Sequence, residues 1–272
     1  MDNGFSNESE IDEQFSAGIF IYVPQIKLRL ANMQVREEIK RITAFLQDHV
    51  GNRVPVIGIS GGIDSAVTLM LLKEAFPDRQ IRAIFMPDSQ TPQADYGDVQ
   101  ELQKVSGVEI RTVLIDSPVN AFKALLNVES KQALGNIKSR TRMIILYHEA
   151  NVNNGIVVGT TNRSEFVVGY YTKFGDGGCD IEPIMHLLKR EVRELASALN
   201  VPKDIMMKKP SAGLWESQTD ESELGMTYEE LDDTIVALFD QKREEKGLRF
   251  NRVMELYTGS EHKRRMPVSM LE

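Results

Sequence analysis

One stretch constrains the fold of this chain more than any other: a short apolar run that breaks into a Ser-Gly-Gly turn and resumes at helical spacing. Residues 54–59 are apolar at both alternating positions, as expected for a strand buried on both faces of a parallel sheet. Gly61 and Gly62 permit backbone angles that other residues avoid. Apolar residues then recur at helical spacing over residues 66–72. The stretch therefore predicts a strand, a turn and a helix in direct succession.

The turn has the composition of a phosphate-binding loop. Successive N–H groups at Gly61 and Gly62 can converge on an anion, and the N-terminus of the following helix adds its dipole. The sequence is not a Walker A motif, because Asp64 stands where that motif has a Lys before its Ser or Thr. A carboxylate holds Mg²⁺ rather than phosphate. We therefore expect the loop to bind the β- and γ-phosphates of ATP and to leave the α-phosphorus open to attack.

Composition narrows the class of protein. The 272 residues are 42% hydrophobic and 26% charged, which is typical of a globular α/β domain with elaborations, or of a domain plus a small lobe. A net charge of −8 argues against a non-specific nucleic-acid binder. Cys179 is the single cysteine, so a reducing compartment is expected. Neither a signal-peptide pattern nor an apolar run of spanning length occurs, and we expect a cytoplasmic protein without a membrane partner.

The order of apolar segments predicts the fold class. Strand and helix patterns alternate, which indicates an α/β fold with a doubly wound, mostly parallel sheet and helices on both faces. Thr91 and Ser117 each precede a proline and are expected to be helix N-caps. We expect strands at 54–59, 81–86, 108–115 and 155–160, and helices at 32–50, 66–76, 91–105, 131–151, 187–199 and 228–239. Ligands in such sheets bind at the carboxyl ends of the strands.

Several polar residues follow these strand ends. Glu165 lies on the same expected rim as Asp64, and position alone is equally compatible with a shared Mg²⁺ and with a helix cap. Arg140 and Arg142 are two residues apart on a helix, so we expect at most one of them to face a site. The glycine-rich segment 169–180 carries aromatics, a Lys and two Asp, and is either a binding loop or a plain surface loop.

The remaining segments are less specific. Residues 1–16 are rich in Asn, Ser, Asp and Glu and predict a flexible acidic tail. Residues 205–225 are expected to form either a mobile flap anchored by Trp215 or an ordered loop at a subunit contact. The basic cluster near residue 264 is either a phosphate contact or a solvated terminus. Cys179 is expected to be a packed small residue, since no basic neighbour in sequence would lower the pKa of its thiol.

The motifs together resemble a known family. Ser60-Gly61-Gly62-x-Asp64-Ser65 resembles the pyrophosphate-binding loop of the N-type ATP pyrophosphatases, which cleave ATP to AMP and pyrophosphate through an adenylated intermediate. Over roughly residues 20–272 the chain is similar to ammonia-dependent NAD synthetases, whose particular motifs are the loop around Lys173 and the His-Lys-Arg tail. The other matching motifs are Lys138-Ser-Arg-Thr-Arg-Met143, Gly159-Thr160 with Glu165, and Lys209-Pro-Ser-Ala-Gly-Leu-Trp215.

The resemblance implies ATP-dependent amidation of deamido-NAD by ammonia to NAD, AMP and pyrophosphate, through an acyl-adenylate. It implies a Rossmann-like fold of the adenine nucleotide alpha hydrolase type, with a single synthetase domain over residues 17–272, no glutaminase domain, and a homodimer with sites near the interface. Its Mg²⁺ ligands would be Asp64 and Glu165, and its catalytic residues Asp64, Lys189 and Glu165. The implied ATP contacts are Gly58, Ile59, Ser60, Gly61, Gly62, Ile63, Asp64, Ser65, Thr160, Lys189 and Ser211. The implied deamido-NAD contacts are Arg140, Lys173, Asp180, His262 and Lys263.

Two other functions compete with this one. Another N-type ATP pyrophosphatase, such as a tRNA-modifying enzyme, is disfavoured by the acidic net charge and the lack of a cysteine pair. A non-catalytic ATP sensor is disfavoured by the presence of both Asp64 and Glu165, because a sensor binds ATP without a metal placed for pyrophosphate release. Ile63 and Cys179 depart from the common family pattern, and neither position is expected to carry chemistry.

Overall fold

The computed structural model describes residues 35–211, 213, 215, 219–243 and 247–270. The predicted tail at residues 1–16 lies outside this range. Four strands are β1 (Val54–Ile59), β2 (Arg82–Phe85), β3 (Ile110–Thr112) and β4 (Gly155–Val158). The helices up to β4 are α1 (Val35–Val50), α2 (Ile63–Ala75), α3 (Gln93–Ser106), α4 (Asp116–Leu125) and α5 (Lys131–Val152). The helices after β4 are α6 (Arg163–Val168), α7 (Lys189–Ala198), α8 (Lys203–Met207), α9 (Asp220–Leu224), α10 (Tyr228–Ile235) and α11 (Leu248–Gly259).

The strands form a parallel sheet in the order β3-β2-β1-β4. Strand β1 is central, and Val56 pairs with Arg82 on one side and with Val157 on the other. Its apolar residues on both parities are buried because helices cover both faces of the sheet. The predicted parallel, doubly wound α/β fold is confirmed.

Each face of the sheet has its own core. On one face, α1, α2 and α7 bury Leu46, Leu69 and Leu195 against β1 and its neighbours. On the other face, Val56 and Val157 pack with residues of α4 and α5. A third core joins α6, α10 and α11 around Tyr228 and lies beyond the sheet.

Some element boundaries were predicted wrongly. Thr91 is not an N-cap: α3 begins at Gln93 after Pro92, and the Thr91 hydroxyl instead accepts a hydrogen bond from the N–H of Asp88 at 3.0 Å. Ser117 is not a cap either, because α4 begins one residue earlier at Asp116. Strand β3 is shorter than predicted, since as an edge strand it pairs only with β2.

The C-terminal helices also differ from the expectation. The helix predicted over 228–239 is α-helical only to Ile235 and continues as a π-helical turn over Val236–Asp240. Arg163 forms a two-pronged ion pair with Asp240 in this turn, at 2.9 and 2.5 Å, which fixes the start of α6 against it. Within the described ranges, no helix is both long enough and apolar enough to cross a membrane.

Candidate active site

The turn after β1 is closed by its own serine hydroxyls. Ser65 donates to the carbonyl of Gly62 at 3.1 Å and accepts from the N–H of Ser60 at 3.2 Å. Gly61 has a φ of +80°, a left-handed conformation that favours glycine. Gly62 is the N-cap of α2 and has no side chain with which to cap it. The first turn of α2 therefore has no side-chain cap, which suits its N–H groups to an anion; the ATP contacts expected at residues 58–65 stay a prediction.

A buried lysine joins the two carboxylates that the sequence places on the rim. The Nζ atom of Lys189, at the start of α7, donates to Asp64 Oδ2 at 2.5 Å and to Glu165 Oε1 at 3.0 Å. The Lys189 side chain is 3% exposed, and the two carboxylates are 17% and 16% exposed. The structure thus brings together the three residues predicted to be catalytic, from the first turns of α2, α6 and α7.

The protonation of this cluster is set by burial and by charge. Burial raises the pKa of Glu165 to about 8, although Lys189 opposes the rise, and the Asp64 charge adds to it. Burial alone would lower the pKa of Lys189, but the two carboxylates beside it hold that pKa above its usual value. Lys189 is therefore a permanent cation in the site.

Of the two readings left open for Glu165, the structure shows the helix cap, and the shared Mg²⁺ stays a prediction. Asn162 and Glu165 form a capping box at the start of α6: Glu165 N–H donates to Asn162 Oδ1 at 3.0 Å, and Asn162 N–H donates to Glu165 Oε2 at 3.3 Å. The amide of Asn162 also donates to Asp64 Oδ1 at 2.9 Å. The cap of α6 therefore also orients the Asp64 and Glu165 carboxylates toward Lys189.

Sequence reasoning missed two further members of the cluster. Tyr228 is 1% exposed, and its hydroxyl contacts Asp220 Oδ2 at 3.0 Å and Glu165 Oε1 at 3.4 Å. Its ring lies under the Lys189 ammonium at 4.8 Å. No sequence motif identifies Tyr228 or Asp220 as a member of this cluster. The sequence does contain the capping box of Thr227 and Glu230, which places Tyr228 at the start of a helix.

The donor set fits a magnesium ion in type. Asp64 and Glu165 are oxygen donors from separate elements that already converge on one positive charge, that of Lys189. Magnesium is usually held by one or two carboxylates together with substrate phosphates and water. Across the described part of the chain, no three His, Cys, Asp or Glu side chains form a metal-ligand group. A magnesium ion here would thus depend on the nucleotide for its other ligands.

The other predicted ATP contacts are less closely grouped. Thr160 is half-buried directly after β4, on the same rim as Asp64. Ser211 is exposed, and its hydroxyl accepts a hydrogen bond from the N–H of Gly213 at 3.1 Å. Part of the predicted flap at 205–225 lies outside the described residues, so its mobility and the anchoring role of Trp215 stay predictions. At its base, Asp220 N–H donates to Pro210 O at 3.1 Å.

The residues predicted to bind deamido-NAD form a second group around segment 169–180. Lys173 donates to the backbone carbonyl of His262, and Arg140 donates to the carbonyl of Lys173 at 3.2 Å. Lys263 donates to the carbonyls of Gly169 and Tyr171, each at 2.6 Å. The structure therefore brings Arg140, Lys173 and the C-terminal segment together.

Asp180 has a structural task at the edge of the sheet. Its Oδ2 accepts from Val157 N–H at 2.7 Å, and its Oδ1 accepts from the Tyr147 hydroxyl at 3.1 Å. It thereby pairs part of the exposed edge of β4. Cys179 is packed as predicted: its thiol donates to Glu182 at 3.2 Å, and burial raises its pKa well above the usual value.

Helix α5 presents a further buried pair to the rim. Lys138 forms an ion pair with Asp88 at 2.7 Å, and both side chains are 4% exposed. Arg142, one turn later, donates to the carbonyl of Met86 at 3.0 Å, whereas Arg140 points to the exposed side. The expectation that the two arginines point in different directions is confirmed. Lys138 and Arg142 are four residues apart, and this spacing already indicates that both lie on the same face of the helix.

Comparisons with known proteins identify the family of the chain. A family model described as NAD synthase matches residues 38–267. The chain is 52% identical over 235 residues to an NH(3)-dependent NAD(+) synthetase of Thermoplasma volcanium, covering 86% of this chain and 97% of that protein.

Two solved structures are also similar. One is an NMN synthetase from Francisella tularensis, with a TM-score of 0.81 and 36% identity, covering 88% of this chain and 99% of that chain. The other is an NH3-dependent NAD synthetase from Campylobacter jejuni, with a TM-score of 0.76 and 27% identity, covering 88% of this chain and 100% of that chain.

Proposed function

The chain belongs to the NAD synthase family, and we propose that it converts deamido-NAD, ATP and ammonia into NAD, AMP and pyrophosphate. The observation that carries this proposal is the placement of Lys189 between Asp64 and Glu165, beside a turn built to bind phosphate. An enzyme that leaves the α-phosphorus open needs positive charge around the departing pyrophosphate, and the ammonium of Lys189 beside the turn would supply it.

The first step is adenylation. The nicotinate carboxylate of deamido-NAD attacks the α-phosphorus of ATP, and the bond from that phosphorus to the pyrophosphate oxygen breaks. The N–H groups of Gly61 and of residues 63–65 bind the β- and γ-phosphates, while the N–H of Gly62 donates to Ser60 Oγ at 3.1 Å within the turn. Lys189 faces the charge that develops on the leaving group. Magnesium, when held by Asp64 and Glu165, supplies further positive charge to the pyrophosphate.

The second step is amidation. Ammonia attacks the acyl carbon of the adenylate, AMP leaves, and a proton is released to form the neutral amide. No residue of the chain acts as a covalent nucleophile in this scheme. The chain contributes orientation and fixed charge, and one well-placed donor is typically worth roughly 3 kcal/mol of barrier.

The second group of residues is assigned to the dinucleotide. We assign Arg140, Lys173, Asp180, His262 and Lys263 to deamido-NAD, and Thr160, Lys189 and Ser211 to ATP beside the loop. Support for the first assignment is the contact of Lys173 with the carbonyl of His262, which places the loop beside the tail. Helix α6 spans the two groups, with Glu165 near its start and Gly169 as its C-cap.

A mononucleotide substrate is the second candidate. The similarity to the Francisella tularensis NMN synthetase favours it, because that structure has a higher TM-score than the Campylobacter jejuni NAD synthetase. The 52% identity to the Thermoplasma volcanium protein favours the dinucleotide. The dinucleotide is the better supported substrate because this identity is higher than the 36% shared with the NMN synthetase.

The test is a product assay with four arms. Purified protein is given ATP and Mg²⁺ with either deamido-NAD or nicotinate mononucleotide, and with either ammonium or glutamine, while the amidated product, AMP and pyrophosphate are scored together. We expect stoichiometric NAD, AMP and pyrophosphate from deamido-NAD and ammonium. Faster turnover of the mononucleotide would transfer the proposal to the second candidate. ATP binding without either product would reject both.

A homodimer is part of the proposal. Large apolar side chains are exposed on the adjacent helices α4 and α5 and on the connection before α4: Leu114, Phe122, Leu125, Leu126 and Ile144. Exposed apolar groups on neighbouring elements are typical of subunit contacts. The molar mass from light scattering is expected to be that of a dimer and to fall toward that of a monomer in L125E.

A cytoplasmic location also belongs to the proposal, supported by the single cysteine.

A further inference from the structure

An ion cluster beside the phosphate-binding turn takes no part in the mechanism above. Lys208, the residue after α8, donates from Nζ to Asp95 Oδ1 at 2.7 Å and also to Asp98. The same Nζ donates to the carbonyl of Gly61 at 3.3 Å. The side chains are 31%, 16% and 11% exposed for Lys208, Asp95 and Asp98. The cluster therefore joins α3, the end of α8 and the turn.

The negative charges of Asp95 and Asp98 lie where they would disfavour the binding of an anionic ligand. Asp95 and Asp98 lie one turn apart near the start of α3, and a Cβ atom built on Gly61 would lie 3.4 Å from the Cβ of Asp95. The turn that contains Gly61 is the part of the chain assigned to the phosphates of ATP. Without a neighbouring cation, the carboxylates of Asp95 and Asp98 would repel a polyphosphate bound at this turn, since partly buried charges are poorly screened.

The hydrogen bonds of Lys208 distinguish a direct contact with phosphate from a role that acts through neighbouring residues. An ammonium group has three N–H donors, and three acceptors already surround Nζ: Asp95, Asp98 and the Gly61 carbonyl. A lysine that bound phosphate directly would need a donor free for it. Burial alone would lower the pKa of Lys208, but the hydrogen bonds that Lys208 donates to the two aspartates raise that pKa, so the group stays charged. Lys208 is therefore suited to act through its protein partners.

We propose that Lys208 is a positioning residue for ATP, which neutralises Asp95 and Asp98 beside the phosphate-binding turn and ties that turn to the end of α8. The proposal rests on the assignment of residues 58–65 to ATP. It assigns no contact between Lys208 and the nucleotide.

The test is Mg-ATP binding by titration calorimetry, without deamido-NAD or ammonia. The variants are K208M, D95N/D98N and the triple variant D95N/D98N/K208M. The matched control is K203M, which removes an exposed lysine from the other end of α8. Thermal unfolding of each variant accompanies the titrations. ATP binding by the wild-type protein tests the underlying assignment separately, because it does not depend on the acceptor substrate.

Rescue is the decisive result. We expect K208M to weaken ATP binding by about tenfold, and the triple variant to return to within about threefold of wild type, because the charge that Lys208 offsets is then gone. K203M is expected to bind as wild type does. Unchanged binding in K208M would overturn the proposal. Weakened binding that the triple variant does not restore would also overturn it, since that pattern belongs to a direct phosphate contact.

D95N/D98N gives an independent reading if K208M does not fold. It leaves Lys208 beside the turn without its two carboxylates, and we expect ATP binding at least as tight as in wild type. Weaker binding in this variant would contradict the proposal. In steady-state assays, K208M is expected to raise KM for ATP while kcat changes less than about threefold, as befits a residue that acts on nucleotide binding.

Discussion

The two groups of predicted ligand residues are held in different ways. Around Lys189, charged side chains contact one another in a buried cluster, and each carboxylate has several partners. Around segment 169–180, Lys173 and Lys263 contact backbone carbonyls, which carry no net charge. The lysine of the first group thus donates to carboxylates, whereas the two lysines of the second group donate to uncharged partners. We infer that the first group is built for catalysis and the second for holding an anionic dinucleotide.

The substitution K189M is expected to have the largest effect, and it tests the catalytic role of the first group. Without the ammonium, Asp64 and Glu165 face each other with no cation between them, so we expect turnover to fall by about a thousandfold or more. The free energy of unfolding is expected to drop by about 3 kcal/mol, because a partly buried ion cluster loses one partner. Single-turnover assays and urea unfolding measure the two effects.

K189R separates charge from placement in the same experiment. It keeps the positive charge but carries it on a wider group, so stability is expected to recover more than turnover does. Near-normal turnover in K189M would contradict the catalytic role assigned to Lys189.

D64N is expected to have the next largest effect. The amide keeps the shape of the side chain and can still contact Asn162, so the fold is retained, whereas one carboxylate for magnesium is lost. We expect a loss of about a hundredfold or more in kcat, measured as AMP release over a range of Mg²⁺ concentrations. D78N, at an exposed position after α2, is the control. Near-normal rates at saturating Mg²⁺ would reject the role of Asp64.

K263M tests the second group and is expected to act on binding. The ammonium of Lys263 ties the C-terminal segment to the carbonyls of Gly169 and Tyr171. We expect KM for deamido-NAD to rise by about tenfold, with kcat changed much less. Loss of the two hydrogen bonds is expected to cost about 1–3 kcal/mol of stability. R265M, a neighbouring exposed arginine, is the control. An equal loss of kcat in K263M would remove the contrast between the two groups.

The smallest expected effect on turnover is at Glu182, where only the stability is expected to change. Burial raises the pKa of Glu182 to about 7, from an ordinary value near 4.5, although Cys179 and Thr161 both donate to it. The folded protein therefore binds a proton more tightly than the unfolded chain, and this contribution is lost as pH rises from about 4.5 to about 7.

E182Q is expected to remove this dependence. Above pH 7 it should be more stable than wild type by at most about 3 kcal/mol, and at pH 4.5 the two should be similar. Urea unfolding at several pH values measures the difference. A wild-type stability that stays level across this range would show that Glu182 does not titrate as stated.

The fold was predictable where a pattern is local. The strand, turn and helix around Gly61 depend on neighbouring residues, and the structure confirms them. The helix start predicted at Thr91 is wrong because the Thr91 hydroxyl bonds to Asp88 instead of capping α3, and the helix predicted from Ser117 begins one residue earlier. The residue type indicates a preference for capping a helix, but it does not determine which hydrogen-bond partner the side chain takes in the folded protein.

The sequence by itself determined the parallel sheet, the turn after β1 and the rim on which Asp64 and Glu165 lie, since strand ends in such a sheet share one edge. Only the tertiary structure decided that Lys189 lies between them, from 125 positions beyond Asp64 and 24 beyond Glu165. It likewise decided the places of Tyr228, Asp220 and Lys208. Contacts across such separations depend on how helices pack, and side-chain patterns along the chain carry no record of that geometry.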